Sequence, residues 1–183
     1  MFQYIKKIAK SKTVFYLSEI VSLTYALPGA VIALSLIIFL AFLTKLIGIS
    51  IAFGSVLILV YAYVMRYMAV GISPLRSSFD KHPETFDDTG KNLGMTNFKL
   101  FKKIHLPINI SAIYIAFILC FVDIIKELPI TLILRPFNFE TFATTAYIYA
   151  SEDLLEAAAA PSLILILIAS VFILSTSKFI LRD

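Results

Sequence analysis

The chain has 183 residues, of which 60% are hydrophobic and 15% are charged, and its mean hydropathy is +0.91. This composition excludes an ordinary soluble domain and indicates an integral membrane protein with a single domain over residues 1–183. The net charge of +4 does not indicate a nucleic-acid-binding protein, because the basic residues flank hydrophobic segments, as orientation signals do.

A first membrane-spanning helix is predicted at about 20–43, after a basic arm at residues 1–12 that marks the cytoplasmic side. Pro28 and Gly29 lie within this span. Because proline removes a backbone donor and glycine weakens a helix, they predict a kink that faces protein or a pore. The alternative is a tolerated kink with no role in transport.

A second span is predicted at about 48–70, after a short outer turn at Lys45 and Gly48. Arg66 and Arg76 are expected to mark its cytoplasmic end. The polar segment that follows, residues 80–107, is called the central loop. It is the only long polar run between strongly hydrophobic segments.

Two short helices are predicted in the central loop, meeting at Gly94, which can adopt the left-handed conformation that ends a helix. Pro83 suits the first turn of the first helix, where Glu84, Asp87 and Asp88 place negative charge. Thr96 or Asn97 is expected to cap the second helix, and Pro107 to limit its extension. Its apolar stripe, expected to pack against the membrane domain or a partner's groove, is Phe98, Phe101 and Ile104.

A third span is predicted at about 108–125 and a last span at about 157–180. Between them, 129–134 is apolar but too short to span, which predicts a re-entrant or interfacial element ending at Arg135. A short helix near 140–150 is expected to follow. All Lys and Arg residues fall in the predicted inner segments except Lys45, Lys126 and Arg135, so both termini are predicted to be cytoplasmic.

The chain carries no phosphate-binding loop and no nucleophile elbow, so it is not expected to hydrolyse ATP or an ester. Cys120, His82 and His105 form no recognisable metal or disulfide pattern and are expected to be structural. No cofactor is predicted.

The central loop has the order of the EAA loop of binding-protein-dependent ABC importer permeases, and the chain resembles that family. The matching residues are Asp88, Thr89, Gly90, Gly94, Ile104, Leu106 and Pro107, with Asp in place of Glu and Thr-Gly in place of Ala-Ala. KELP at 126–129, the residues after it and YALPGAVIALSL at 25–36 resemble the ferric-iron group of these permeases.

The resemblance implies a type I (MetI-like) permease domain: four transmembrane helices and a two-helix loop, residues 80–107, that docks on an ATPase. It implies a multi-pass protein of the bacterial inner membrane that imports ferric iron. It also implies two copies of an ATPase subunit, which hydrolyses the ATP, a substrate-binding protein, and a second permease half or sister chain. Because the resemblance covers the last four spans of a longer permease, the domain is expected to be partial, as a split half, a remnant or a fragment.

Two groups of site residues follow from the resemblance and from charge near the outer face. The ATPase-coupling residues are Asp88, Thr89, Gly90, Gly94, Thr96, Asn97, Phe98, Phe101, Ile104, Leu106 and Pro107. The candidates for the translocation path and outer gate are Pro28, Gly29, Asp123, Glu127 and Arg135. Asp123, Lys126 and Glu127 are expected to share a helix face, and an ion pair between Asp123 and Lys126 is the structural alternative.

Two other functions stay open. The same architecture serves thiamine, sulfate and polyamines, so the substrate could differ within the family. An unrelated four-span channel or assembly protein could also carry the loop spacing by chance.

Overall fold

The computed structural model describes residues 12–48, 55–83 and 85–180, which form helices joined by short turns, with no strand among them. Their bounds are α1 Lys12–Thr24, α2 Gly29–Ile47, α3 Val56–Asp80, α4 Thr85–Asn92, α5 Asn97–Ile108, α6 Ile110–Ile125, α7 Pro129–Leu134, α8 Phe142–Ser151 and α9 Leu155–Ile180.

Three of these helices, α2, α3 and α9, are long and apolar enough to cross a membrane. A fourth crossing is present if α5 and α6 count as one span, since together they pass the same test but are bent by 69°. The structure therefore confirms an all-helical membrane protein with three spans, or four with the bent pair.

The single helix predicted at 20–43 is wrong, because the chain leaves the helix between Thr24 and Gly29. Pro28 has φ −58° and ψ 140°, an extended conformation. Proline also disfavours helical geometry at the residue before it. Instead of a kink within one helix, Pro28 is the N-cap of α2 and Gly29 its first residue, while the C-cap of α2 is Gly48, with a left-handed φ of +72°.

The second predicted span, 48–70, is shorter than the helix observed. Helix α3 begins after Ser55, whose side chain accepts a hydrogen bond from Ile58 N (3.3 Å), and continues through Pro74 to Asp80. Hydropathy falls after residue 70, but a helix can continue beyond its apolar part when a neighbour packs on it. Here α1 packs on α3, and Glu19 Oε1 lies 2.9 Å from Arg76 Nη2.

Helix α6 packs between α3 and α9. On the α3 side the contact is close: a Cβ added to Gly71 would lie 3.1 Å from Cys120 Sγ. On the α9 side the rings of Phe121 and Phe172 lie 4.3 Å apart. Small residues on one side and an aromatic pair on the other hold α6 between its two neighbours.

Three later elements have the predicted positions. Helix α7 covers the segment predicted to be too short to span, and its C-cap is Arg135. Helix α8 matches the helix predicted near 140–150, and α9 contains the predicted last span. Other predictions lie outside the described residues: the basic residues Lys6, Lys7, Lys10 and Arg182, the charge at Glu84, and the remainder of the outer turn at 49–54.

Candidate functional site

The central loop connects the end of α3 to the start of α6 through α4 and α5. Gly94 has φ +72°, so it adopts the predicted left-handed conformation. Gly94 N donates to Lys91 O (2.9 Å) and Met95 N donates to Gly90 O (3.0 Å), the two bonds of a Schellman motif. A helix stop of this kind fixes the direction in which the chain enters α5.

Helix α5 begins as predicted but ends later. Thr96 is its N-cap, and its side chain accepts a hydrogen bond from Lys99 N (3.4 Å). Pro107 does not end the helix. It follows one wide π-helical turn at Phe101–His105, and the helical run continues to Ile108. The sharp bend comes at Asn109 instead.

The apolar stripe predicted on α5 is not one face. A spacing of three residues drifts by about 60° per step against the 3.6-residue period of a helix, so Phe98 and Ile104 point in different directions. Phe101 and Ile104 pack against Phe79 and Leu100, whereas Phe98 is 70% exposed. The membrane domain therefore holds part of the stripe, and Phe98 projects away from the chain.

The three residues at the start of the EAA-like pattern have different surroundings. Asp88 and Thr89 are exposed, whereas Gly90 is buried. A Cβ added to Gly90 would collide with the Leu100 side chain, because α4 and α5 approach each other closely at this point. This contact gives a physical reason for glycine in place of the alanine of the family pattern.

Sequence reasoning missed the most buried polar contact of the loop. His105 is fully buried, and its Nε2 lies 2.7 Å from Asp87 Oδ1. A carboxylate can only accept, so the ring nitrogen donates. The His105 ring also stacks on Phe79, with centroids 5.8 Å apart, and Asn109 Nδ2 donates to His105 O (2.6 Å). The sequence offered only a weak signal for this contact, because Asp87 and His105 are simply two polar residues on opposite sides of the predicted turn at Gly94.

A second site lies inside the helical bundle, where Gly29 packs against three polar side chains. It is called the buried ion-pair cluster and comprises Gly29, Arg66, Tyr67 and Glu127. Arg66 Nε lies 3.8 Å from Glu127 Oε2, and the side chains are 18% and 7% exposed. Tyr67 OH donates to the same carboxylate, and Ile130 N donates to Glu127 Oε1 (3.2 Å). Glu127 is thus held by α3 and by the first turn of α7.

Gly29 is required by this cluster. A Cβ at that position would lie 2.6 Å from Glu127 Oε1 and 2.7 Å from Arg66 Nη1. Arg66 Nη1 also donates to Leu27 O (3.1 Å), in the turn before α2. The start of α2 can therefore approach the ion pair because residue 29 has no side chain.

Further hydrogen bonds hold α7 against α3. Thr131 Oγ1 donates to Glu127 O (2.8 Å) and lies 2.5 Å from Tyr63 OH. Ile130 and Leu134 pack with residues of α2 and α3 in one buried apolar cluster, whose other members are Ala33, Leu59 and Ala62. The short element predicted to be re-entrant or interfacial is therefore packed on α2 and α3 through one buried side, formed by Ile130, Thr131 and Leu134.

The candidates for the outer gate do not come together as predicted. Helix α6 ends at Ile125, so Glu127 leaves the face that Asp123 and Lys126 share. Asp123 and Lys126 form the ion pair expected as the alternative, with Lys126 Nζ 2.8 Å from Asp123 Oδ1. Arg135, another candidate for the outer gate, pairs with Glu140.

Arg66 does not mark a cytoplasmic end. It lies about 15 Å along α3 from Val56, at 1.5 Å per residue, and inside the bundle. The hydropathy of the residues around Arg66 could not reveal its position inside the bundle, because its partner Glu127 comes from a distant part of the sequence. No group of three His, Cys, Asp or Glu side chains is placed to hold a metal ion within the residues that the structure describes.

Residues 9–180 match the family described as "Binding-protein-dependent transport system inner membrane component". The chain is also 26% identical over 170 residues to the Fe(3+)-transport system permease protein FbpB 2 of Haemophilus influenzae. That alignment covers 93% of the chain and 33% of the relative, so the chain spans about a third of the length of the relative it matches.

Proposed function

Because the chain belongs to the family of binding-protein-dependent transport system inner membrane components, we propose that it is a permease subunit of an ABC importer for ferric iron. A binding protein outside the membrane delivers the ion, and ATP hydrolysis on a separate subunit drives its passage. Both termini of this multi-pass inner-membrane protein are cytoplasmic in the proposal. Family membership argues against an unrelated four-span channel or assembly protein.

The main support for this proposal is the geometry around Gly94. Its left-handed conformation joins two helices that are packed together on one side, where Gly90 lies against Leu100 and Ile104. On the other side Leu93 and Phe98 are 71% and 70% exposed, although both are large and apolar. Exposed apolar side chains on a rigid helix turn are what a partner's groove would receive. We therefore assign Leu93 and Phe98 to the surface that docks on the ATPase.

The predicted coupling residues take separate roles in this proposal. Gly94, Thr96 and Asn97 set the turn and begin α5, while Gly90 allows the two helices to approach. Asp88 and Thr89 lie on the exposed side of α4 with the docking surface. Leu106 and Pro107 continue α5 toward the bend, through which movement of the loop reaches α6.

Ferric iron is proposed as the substrate from the name of the H. influenzae relative and from the resemblance at residues 25–36 and 126–143. Thiamine, sulfate and polyamines are the competing substrates within the same architecture. A resident iron site in this chain forms no part of the proposal, because the described residues offer no cluster of hard ligands.

We place the translocation path beside the turn that contains Pro28. Residues 25–28 are exposed and non-helical, and Tyr25 OH lies 3.5 Å from Asp123 Oδ2. Irregular backbone at membrane depth needs water or protein around it. Gly29 and Glu127 support this turn from inside the bundle, and Arg135 with Glu140 lies at the far end of α7.

The exposure of this turn is also an argument that the chain has a partner in the membrane. Large apolar side chains on α2 and α9 are exposed as well, including Phe39, Phe42, Leu163 and Leu167. We propose that a sister chain or second permease half supplies the opposite wall, with two ATPase copies below. Purified chain that is a stable monomer and transports with the ATPase alone would contradict this.

Uptake by the assembled complex tests the function. The chain, its sister half, the ATPase and the binding protein are reconstituted in vesicles, and uptake of labelled ferric iron is compared with thiamine, sulfate and a polyamine. Phe98→Ala is expected to weaken ATPase co-purification by removing an apolar anchor. Lys102→Ala is the matched control, because Lys102 is exposed like Phe98 but is charged, and its loss should have a mild effect. ATPase that co-purifies equally with both variants would remove Phe98 from docking, and uptake of another substrate alone would overturn the assignment to iron.

A further inference from the structure

We propose that His105 is a positioning residue that joins the two loop helices to both adjoining spans, so that the central loop moves as one rigid lever. The inference rests on the proposed function, because it concerns how a push from the ATPase reaches the membrane helices. It adds a residue to which the EAA-like pattern gives no role, since position 105 lies between the pattern residues Ile104 and Leu106.

His105 belongs to α5 and contacts α4 directly. Its Nε2 donates to Asp87 Oδ1 at 2.7 Å, and both side chains are almost completely shielded from solvent. A hydrogen bond to a charged group is shorter and stronger than a neutral one, and burial removes competing water. The bond therefore fixes the angle between α4 and α5 on the side opposite the glycine turn.

The same residue contacts the span before the loop. The His105 ring stacks on Phe79, in the last turn of α3, with an interplanar angle of 29°. His82 lies next to both rings, with centroids 5.8 Å from Phe79 and 6.2 Å from His105. These ring contacts connect α5 to the end of α3 without passing through α4.

The span after the loop is connected through the backbone of His105. Asn109 is 1% exposed and lies at the bend between α5 and α6, and its Nδ2 donates to His105 O at 2.6 Å. The backbone N of Asn109 also donates to His105 O (3.1 Å), so two bonds from Asn109 to this carbonyl stabilise one bend angle. The side chain of His105 thus contacts α3 and α4, and its backbone carbonyl accepts from Asn109 at the bend before α6.

The proposed docking residues lie apart from this junction. Phe98 is 70% exposed, whereas His105 is fully buried. Binding of the ATPase and transmission of its movement therefore depend on different side chains. Loss of the junction should leave the ATPase attached while the membrane helices respond less to it.

The experiment uses the assembled complex in vesicles and measures three quantities: ATPase co-purification, ATP hydrolysis, and the amount of iron taken up per ATP hydrolysed. For His105→Ala and Asp87→Ala we expect normal co-purification and about a tenfold fall in uptake per ATP, within the 5- to 150-fold range of typical coupling between sites. His105→Gln, whose amide nitrogen can still donate to Asp87, should restore most of the ratio. Lys103→Ala, an exposed neighbour on the same turn, is the matched control.

The possible outcomes test the lever at His105 separately from the proposed function as an ABC permease. An unchanged uptake ratio in His105→Ala and Asp87→Ala overturns the lever, as does loss of co-purification together with uptake. Absence of ATPase from the wild-type complex would instead overturn the proposed function. If His105→Ala does not accumulate, Asp87→Asn decides: a neutral acceptor weakens the bond, so a two- to threefold fall supports the lever and a wild-type ratio overturns it.

Discussion

Arg66 and Glu127 face each other in the interior of the helical bundle, with Arg66 Nε 3.8 Å from Glu127 Oε2. Arg66 belongs to α3 and Glu127 to the turn between α6 and α7, and Gly29 lies against both side chains. Charged groups in such a position need a partner, because an isolated buried charge is strongly destabilising. The pair therefore determines how α2, α3 and α7 can be arranged.

Replacing Glu127 by Ala is expected to destabilise the protein by about 3 kcal/mol, the lower end for a broken buried pair, since Arg66 is 18% exposed. The midpoint of thermal unfolding in detergent measures this. Lys126→Met is the control, because Lys126 is 65% exposed and its pair with Asp123 should contribute about 0–1 kcal/mol. The double variant Arg66→Met with Glu127→Leu should be more stable than Glu127→Ala, and equal effects of Glu127→Ala and Lys126→Met would contradict the prediction.

Gly29→Ala tests the close approach to the same pair. Its Cβ would meet Glu127 Oε1 at 2.6 Å and Arg66 Nη1 at 2.7 Å, distances that require the ion pair to shift. We expect a loss of stability of about 1–3 kcal/mol, as for overpacking elsewhere. Gly71→Ala, whose Cβ would meet Cys120 Sγ at 3.1 Å, should have a smaller effect in the same unfolding assay. A reversed order would mean that the turn before α2 can move freely.

Gly94 should be replaceable only by residues that tolerate a left-handed backbone. No atom lies within 4 Å of a Cβ built there, so the effect of Gly94→Val would come from its φ of +72° and not from a collision. We expect a cost of about 1 kcal/mol or more and failure of uptake, because α5 is re-aimed. Asparagine adopts this conformation more readily, so Gly94→Asn should retain much of the activity. Equal uptake by both variants would show that the turn geometry is not needed.

The proposed orientation predicts where reporter proteins fused to the chain will lie. A reporter fused after Asn92, in the central loop, should be cytoplasmic, and one fused after Ser151, between α8 and α9, should be outside. Enzymatic activity of a paired reporter that works on one side only would measure each position. Both reporters on one side of the membrane would rule out the proposed arrangement of spans.

The sequence predicted the features that depend on neighbouring residues. The left-handed Gly94, the Thr96 cap, the short α7 and the later helices all follow from local backbone preferences or from the length of an apolar run. The family also followed from local spacing in the central loop.

Features that depend on distant residues were not predicted. Glu127 and Arg135, which are close in sequence, were both candidates for the outer gate, yet their ion-pair partners are Arg66 and Glu140. The same holds for His105 and Asp87, whose pairing requires knowing that α4 and α5 fold back on each other. Proline at position 28 indicated a disturbance of the helix but not its size, since a kink and a complete break begin with the same residue.

The wide turn at Phe101–His105 has a consequence for how the chain tolerates insertions and deletions. Leu106 N donates to Phe101 O, five residues back, so this turn holds one residue more than a regular one. Each residue of a regular helix adds a rotation of about 100°, so a residue lost from the regular part of a helix rotates everything that follows by that angle. A single-codon deletion in the wide turn would instead leave one regular turn, so Ile110–Ile125 would present nearly the same side to its neighbours.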